Sequence, residues 1–427
     1  MIAQFLNLSR TVHLLCLGAF INRAGTFIAP FLTLYLEDEL ELGVGFATRA
    51  MGVYGVGALL AYFTGGQLAD QIGRRIVMLV SLVGTAAILL LFAHLRSGWS
   101  ILGALLAFSF IAEMYRPACS AMIADVTGPE QRTHAFGLMY VAINLGFAVA
   151  TSVGGFLAQY SYEWLFWGDA LTAFLFAVLI FVTIKETLPS RRRSRDGVDR
   201  WTPDDAVCDD VEASAPMREA AAHILSNGTF LACWVAAFFV AASYVQALST
   251  FPLYLNQLGF GAKEYGRLIA LNGVLIVIFQ LPVTMIVAKY HRGTMVIASA
   301  VIVGVGFGLT GLATTGWHFA LTIVVWTFGE IMHAPLMPAI VADLSPSNMR
   351  GRYMGVFTVC FSCSMMVGAP LGGVVLDKLG GGWLWGGTLM IGLVSASVFA
   401  AVRRQIAVPT TDDPPTEKAP AVEACEA

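Results

Sequence analysis

The chain has 427 residues, 57% of them hydrophobic and 12% charged, with 43 glycines, a mean hydropathy of +0.73 and a formal net charge of −3. A soluble domain carries nearer 25% charge, so the composition is that of a polytopic helical membrane protein and excludes a soluble globular enzyme. No basic domain or stripe is present, which excludes a nucleic-acid binder.

Crossing a bilayer takes roughly 20 apolar residues. Twelve spans are predicted, at 11–36, 46–69, 75–95, 98–124, 135–160, 164–185, 229–255, 264–288, 293–314, 317–342, 352–376 and 383–404. The first apolar run is too long for a signal h-region and has no small-residue cleavage site, so it is expected to be a retained span. Between spans 2 and 3 the stretch GGQLADQIGRR, 65–75, places Asp70, Arg74 and Arg75 within six positions. So short a connector makes its flanking helices antiparallel neighbours.

The spans fall into two six-helix bundles, 1–185 and 229–404, joined by a polar loop, 186–228. That loop carries the basic run Arg191–Arg195 and then Asp204, Asp205, Asp209, Asp210 and Glu212. Such composition does not support a packed core; it reads as a cytoplasmic tether, with a regulatory or lipid-headgroup role as the alternative. The tail, 405–427, holds Pro409, Pro414, Pro415 and Pro420 and reads as disordered.

Orientation follows from the basic residues. Arg10, Arg74, Arg75, Arg132, Lys185, the Arg191 cluster, Lys289, Arg292, Arg350, Arg352, Arg403 and Arg404 fall on one side, and only Arg49, Arg96, Lys263, Arg267 and Lys378 on the other. Both termini are therefore expected in the cytoplasm, in a cell membrane. Of the seven cysteines, Cys16, Cys119, Cys233, Cys360 and Cys363 lie in apolar runs, and Cys208 and Cys425 in polar ones. Cys360 and Cys363 form C-x-x-C inside a helix with no second pair, so packing is favoured over a metal site.

An internal repeat is visible at an offset of about 218: Asp125 meets Asp343, Arg132 meets Arg350, Gly137 meets Gly355, and Arg74 meets Arg292. Ala288 stands where Asp70 would fall. The chain thus reads as two parallel six-helix repeats.

Ionisable residues near mid-bilayer are functional candidates by default. They are Arg23 in span 1, Glu113 and Arg116 in span 4, and Glu330 in span 10, with His333 one turn on. Asn22, Tyr244 and Gln246 add polar atoms in spans 1 and 7. Both carboxylates have a polar residue at i+3, on one helix face. Glu113 and Arg116 also fit a structural pair, Glu330 a hydrogen-bonded pin, and His333 a wall residue. Asp169, near the end of span 6, reads as interfacial. Burial disfavours the charged form of a lone carboxyl, and a carboxyl able to take either form near neutral pH is what proton coupling requires. Glycine triplets such as Gly52, Gly55 and Gly57 lie inside apolar helices and read as packing, not nucleotide binding. No Walker loop is present, which excludes ATP-driven pumping.

The turn at 65–75 resembles the signature of the major facilitator superfamily of secondary transporters, roughly G-x-L-A-D-R-x-G-R-R/K, through Gly66, Leu68, Ala69, Asp70, Gly73, Arg74 and Arg75; Gln71 departs from it. The resemblance implies a twelve-helix all-α fold in two six-helix pseudo-repeats, with helices 1, 4, 7 and 10 lining a central cavity. It also implies a conformational latch at Gly66, Asp70, Gly73, Arg74 and Arg75, with Asp125 as the acidic partner of Arg74 and Asp70 facing a helix N-terminus of the other half. The run Gly329–Leu344, GEIMHAPLMPAIVADL, resembles helix 10 of multidrug:proton antiporters of the lactococcal multidrug transporter type, where Glu330 matches a proton-handling glutamate. Arg116 resembles the basic helix 4 residue of proton-coupled members. Span 5 reads TSVGGFLA, with Ser152 where drug antiporters commonly carry proline.

The expected function is proton-coupled antiport, as efflux, of small amphipathic or cationic compounds by alternating access. The alternative is a proton symporter or facilitator for a small metabolite, since Arg23 and Arg116 equally suit an anion. The protein is expected to be a monomer that is no enzyme, with protons, one small-molecule substrate and the lipid bilayer as partners and no cofactor or metal.

Overall fold

The computed structural model describes residues 8–187 and 217–406. Twelve helices among them are long and apolar enough to cross a membrane. They are α1 (Arg10–Glu39), α2 (Val44–Ile72), α3 (Arg74–Phe92), α4 (Gly98–Asp125), α5 (His134–Ala158), α6 (Glu163–Thr183), α7 (Gly228–Leu248), α8 (Ala262–Val287), α9 (Arg292–Leu312), α10 (Gly316–Leu344), α11 (Arg350–Leu379) and α12 (Gly381–Gln405). No strand occurs among the described residues. In hydrocarbon every backbone N–H and C=O must be satisfied within its own segment, and helices do this. Large apolar side chains such as Leu171, Phe174, Phe181, Leu281 and Leu371 lie exposed on the outside, where lipid chains would meet them.

Three spans are interrupted. In α1, helix Arg10–Ala24 gives way at Gly25 to Ile28–Leu34, which ends in a π-turn, Tyr35–Glu39. In α4 the break falls at Met114, and α7 continues after Ser249 as Thr250–Gln257. Arg23, Glu113 and Arg116 all sit at such breaks. There, backbone polar groups lose helical partners and must find others.

Within α1–α6 the main packing pairs are α2 with α4, α3 with α6, and α1 with α5 and α6; within α7–α12, α9 packs on α10 and α12, α8 on α10, and α7 on α11 and α12. The two sets meet along two seams, α2 on α11 and α5 on α8. Exchanging each helix for its counterpart in the other half, α2 for α8 and α11 for α5, turns one seam into the other, so they are one contact made twice. Glycines permit the approach. A Cβ at Gly266 would meet the Thr151 carbonyl oxygen at 2.3 Å, and one at Gly55 the Met366 nitrogen at 2.6 Å.

The seams lie toward the end of the bundle that carries Asp38. There Asp38 accepts from Tyr162 Oη at 3.0 Å and from Asn256 Nδ2 at 2.7 Å, joining the two halves. The Tyr140–Gln280 hydrogen bond, 3.4 Å, lies deeper along the α5–α8 seam.

Part of the stretch read as a structureless tether is helical. Met217–Ser226 buries Ala220 and Ile224, and His223 Nδ1 lies 2.8 Å from Tyr353 Oη of α11. Its short apolar face docks on the bundle, which average polarity hides. The basic and acidic runs of that loop and the tail beyond 406 lie outside the described residues.

Candidate functional site

Two cavities carry the candidate residues. The larger, about 420 Å³, is lined by Asn22, Arg23, Thr26, Tyr54, Glu113, Arg116, Tyr140 and Asp169, among others. The smaller, about 180 Å³, is lined by Asn144, Phe147, Tyr244, Asn272, Trp326, Glu330 and Phe361. Their common wall is α5, which turns Tyr140 and Ile143 to the first and Asn144 and Phe147 to the second. Arg23 and Glu113 thus line the first and Glu330 the second, on either side of α5. The first lies among α1–α6, and the second lies where α5 meets α7, α8, α10 and α11.

In the larger cavity Glu113 Oε2 lies 2.8 Å from Arg116 Nε. Tyr54 Oη donates to Glu113 Oε1 at 2.8 Å and Tyr62 Oη to Oε2 at 3.4 Å. The carboxylate is buried and its charge is matched on three sides. Sequence reasoning missed both tyrosines, although their spacing of eight residues, about two turns, places them on neighbouring faces of one apolar helix.

Asp169 is a second omission. Read as interfacial, it is only 2% exposed, and Oδ2 accepts the Ile28 N–H at 3.4 Å. Ile28 opens the second part of α1, so the carboxylate serves a helix-end donor left without an intrahelical acceptor. Nothing in the sequence near Asp169 reports a break in a different helix.

Glu330 lies in the smaller cavity, where Asn272 Nδ2 of α8 donates to its Oε2 at 2.8 Å and also to Thr327 Oγ1 at 3.0 Å. Tyr244 lines the same cavity, and its buried hydroxyl has no hydrogen-bond partner among the described residues. A carboxylate, a free phenol and the rings of Phe147, Trp326 and Phe361 can hold a cation by charge and by ring faces.

Two expectations are corrected. His333 lies within neither cavity wall; its Nδ1 is 3.1 Å from Ser299 Oγ of α9 and its ring rests against Phe399 of α12. Three residues turn a helix by 300°, and the remaining 60° carries His333 from the cavity into the α9–α12 packing. Gln246 packs on α11 within the second half: Nε2 donates to Ala242 O and Gly368 O at 3.0 Å each, and Oε1 accepts from Thr250 Oγ1 at 2.8 Å. It satisfies backbone near the break in α7.

At the 65–75 turn Arg74 lies 3.1 Å from Asp70 and 3.1 Å from Asp125. Gly73 has φ +111°, open to glycine alone without strain, and the Glu186 carboxylate fills the space a Cβ would need. Glu186 accepts the Arg74 and Arg75 N–H groups at 2.9 and 3.1 Å, an anion at the start of α3. Arg75 donates to Phe181 O at 2.7 Å and stands over the Phe181 ring. The repeat partner of the Arg74 pair is present as Arg292 with Asp343. Asp70, however, is 69% exposed and paired within its own turn, and nothing lies within 4 Å of a Cβ at Gly66. Asp70 thus does not face a helix of the other half in this conformation, because the seams close at the opposite end of the bundle.

Comparison with known proteins supplies the frame. A sequence model of the Major Facilitator Superfamily matches residues 15–339 and 263–424. The chain is 26% identical over 388 residues to a Na(+), Li(+), K(+)/H(+) antiporter of Planococcus maritimus, covering 85% of this chain and 88% of that one. It is 21% identical over 391 residues to the multidrug resistance protein MdtH of Aeromonas salmonicida (strain A449), covering 90% and 92%. Its fold is similar to that of a POT family transporter crystallised with a thioalcohol-conjugated peptide, with TM-score 0.75 at 13% identity and coverage of 93% and 97%.

Proposed function

The chain belongs to the major facilitator superfamily, and we propose that it is a proton-coupled antiporter exporting small amphipathic or cationic compounds. It is a multi-pass membrane transport protein, not an enzyme. The observation that carries the antiport reading is Glu330, a carboxyl on a spanning helix, facing a cavity where the two halves meet and held by one neutral donor, Asn272. A proton and a cation compete for such a group. Antiport needs no more than that competition, provided the loaded site reaches one side of the membrane at a time. The relatives named as a cation/H(+) antiporter and a multidrug resistance protein support the same reading.

In this reading the Arg74 end is cytoplasmic, as the basic residues require, and the protein works as a monomer in the cell membrane. The seams at the Asp38 end then close the outer side, and the structure is the inward-facing state. Asp70, Gly66 and Gly73 form the latch that engages when the halves rock the other way, with Arg74 and Asp125 holding the turn in shape. The domain boundaries follow, with bundles at 1–185 and 229–404 moving as units.

The test is a panel of compounds added to proteoliposomes that contain a pH-sensitive dye. Antiport moves protons against the compound. Protons moving with it make the protein a symporter and overturn the reading.

A further inference from the structure

Four charged side chains line the larger cavity, and three are engaged. Glu113 and Arg116 neutralise each other at 2.8 Å. Asp169 has an oxygen on the Ile28 amide at 3.4 Å. The Arg23 guanidinium makes no hydrogen bond or ion pair with any described residue.

Its position is nevertheless fixed. A Cβ at Gly146 would meet Arg23 Cβ at 2.9 Å and Ala24 N at 3.0 Å, so the α5 backbone lies against the base of the side chain. Asn22 and Thr26 flank it on the cavity wall, and Leu82, Phe108, Phe136 and Met139 supply apolar surface. A guanidinium carries five donors in a planar fork and no acceptor. With no partner among the described residues, it presents these donors to the cavity, where an anion can take them.

We infer that the larger cavity is a substrate subsite for a carboxylate, with Arg23 gripping the carboxylate and the apolar wall holding an amphipathic body. The fork of arginine matches a carboxylate with two parallel hydrogen bonds, which lysine cannot do. The volume, about 420 Å³, falls within the usual range for small-molecule sites. Arg116 is unavailable for this, since Glu113 already neutralises it. Asp169 faces the same cavity and competes for Arg23 by charge. The inference rests on the transport reading, and it extends the substrates from amphipathic cations to amphipathic acids and zwitterions.

The test needs neither transport nor a gradient. Phenylbutyrate, indoleacetate and naphthoate, each beside its methyl ester, are titrated into the purified protein in detergent at neutral pH, with calorimetry as the readout. The acids should bind at least about tenfold more tightly than the esters. Arg23→Gln should abolish that preference, Arg23→Lys should keep part of it, and Asp169→Asn should widen it. Equal binding of acids and esters to the unmodified protein, or an acid preference that survives in Arg23→Gln, overturns the subsite. The sign of proton movement in proteoliposomes is a separate readout, so this subsite and the antiport reading fail independently.

Discussion

The Arg74 guanidinium stands 3.1 Å from the Asp125 carboxylate, and the same pair recurs 218 residues later as Arg292 with Asp343. The two halves keep this pair between the start of their third helix and the end of their fourth. Only the first half adds Asp70, whose counterpart is Ala288. The charge outside the shared pair is therefore the one free for a task other than holding its own half together.

Asp70→Asn should leave stability almost unchanged. Its pair with Arg74 is an exposed i, i+4 contact, worth about 0.3–0.5 kcal/mol at most. Transport should nevertheless fall several-fold, because the proposed latch loses its charge. Melting temperature and uptake rate are measured on the same preparation. A large drop in melting temperature would make Asp70 a structural residue.

Glu113 and Arg116 should behave as one unit. Each single change to Gln strands the partner's charge, while the double change strands neither. The double-mutant cycle should show an interaction energy on the order of 1 kcal/mol or more. Tyr54→Phe should cost about 1 kcal/mol through its lost hydrogen bond. Strict additivity of the two Gln changes would mean the pair is energetically idle.

Glu330→Gln fixes the side chain in a neutral form. On the proposed reading a cationic substrate should bind the unmodified protein better as pH rises, because only the ionised carboxylate attracts it, and each tenfold in affinity is about 1.4 kcal/mol of coupling. In the variant the curve should be flat and uptake driven by a pH gradient abolished, while slow downhill exchange persists. Curves that rise alike in both proteins would assign the coupling proton to another group.

Asp38→Ala removes a carboxylate that accepts from both halves at once. Losing about 1–2 kcal/mol from that closure shifts the balance of open and closed forms by a factor of about 5–30. Spin labels on the ends of α1 and α7 should report a wider mean separation at that end. An unchanged distance distribution would show that the glycine seams alone hold the closure.

How much of this was legible before the structure depended on the range of the signal. The twelve spans were legible because each is a local property of about 20 residues. The Arg74–Asp125 contact followed from the repeat and the signature, and Glu113–Arg116 from i, i+3 spacing. Asp169 was not legible, because its partner is the backbone of Ile28, 141 residues away. Asn272 was passed over as a single amide in an apolar run, where no neighbour points to Glu330. His333 shows the reverse error: spacing on one helix suggested a shared face, and the packing of α9 and α12 decided otherwise. The division of the polar groups between two cavities depends on the path of α5, on which no single stretch of sequence bears.

The glycines along the α5–α8 seam have a mechanical consequence. With Gly266 set against Thr151 and against Gly155, the two backbones meet with almost no side chain between them. Such a surface resembles a bearing, smooth enough to roll and too tight to admit a wedge. A single methyl group at 266 would act as that wedge, prying the Asp38 end apart and leaving the far end the easier one to shut. One carbon atom placed there would choose which side of the membrane the protein faces.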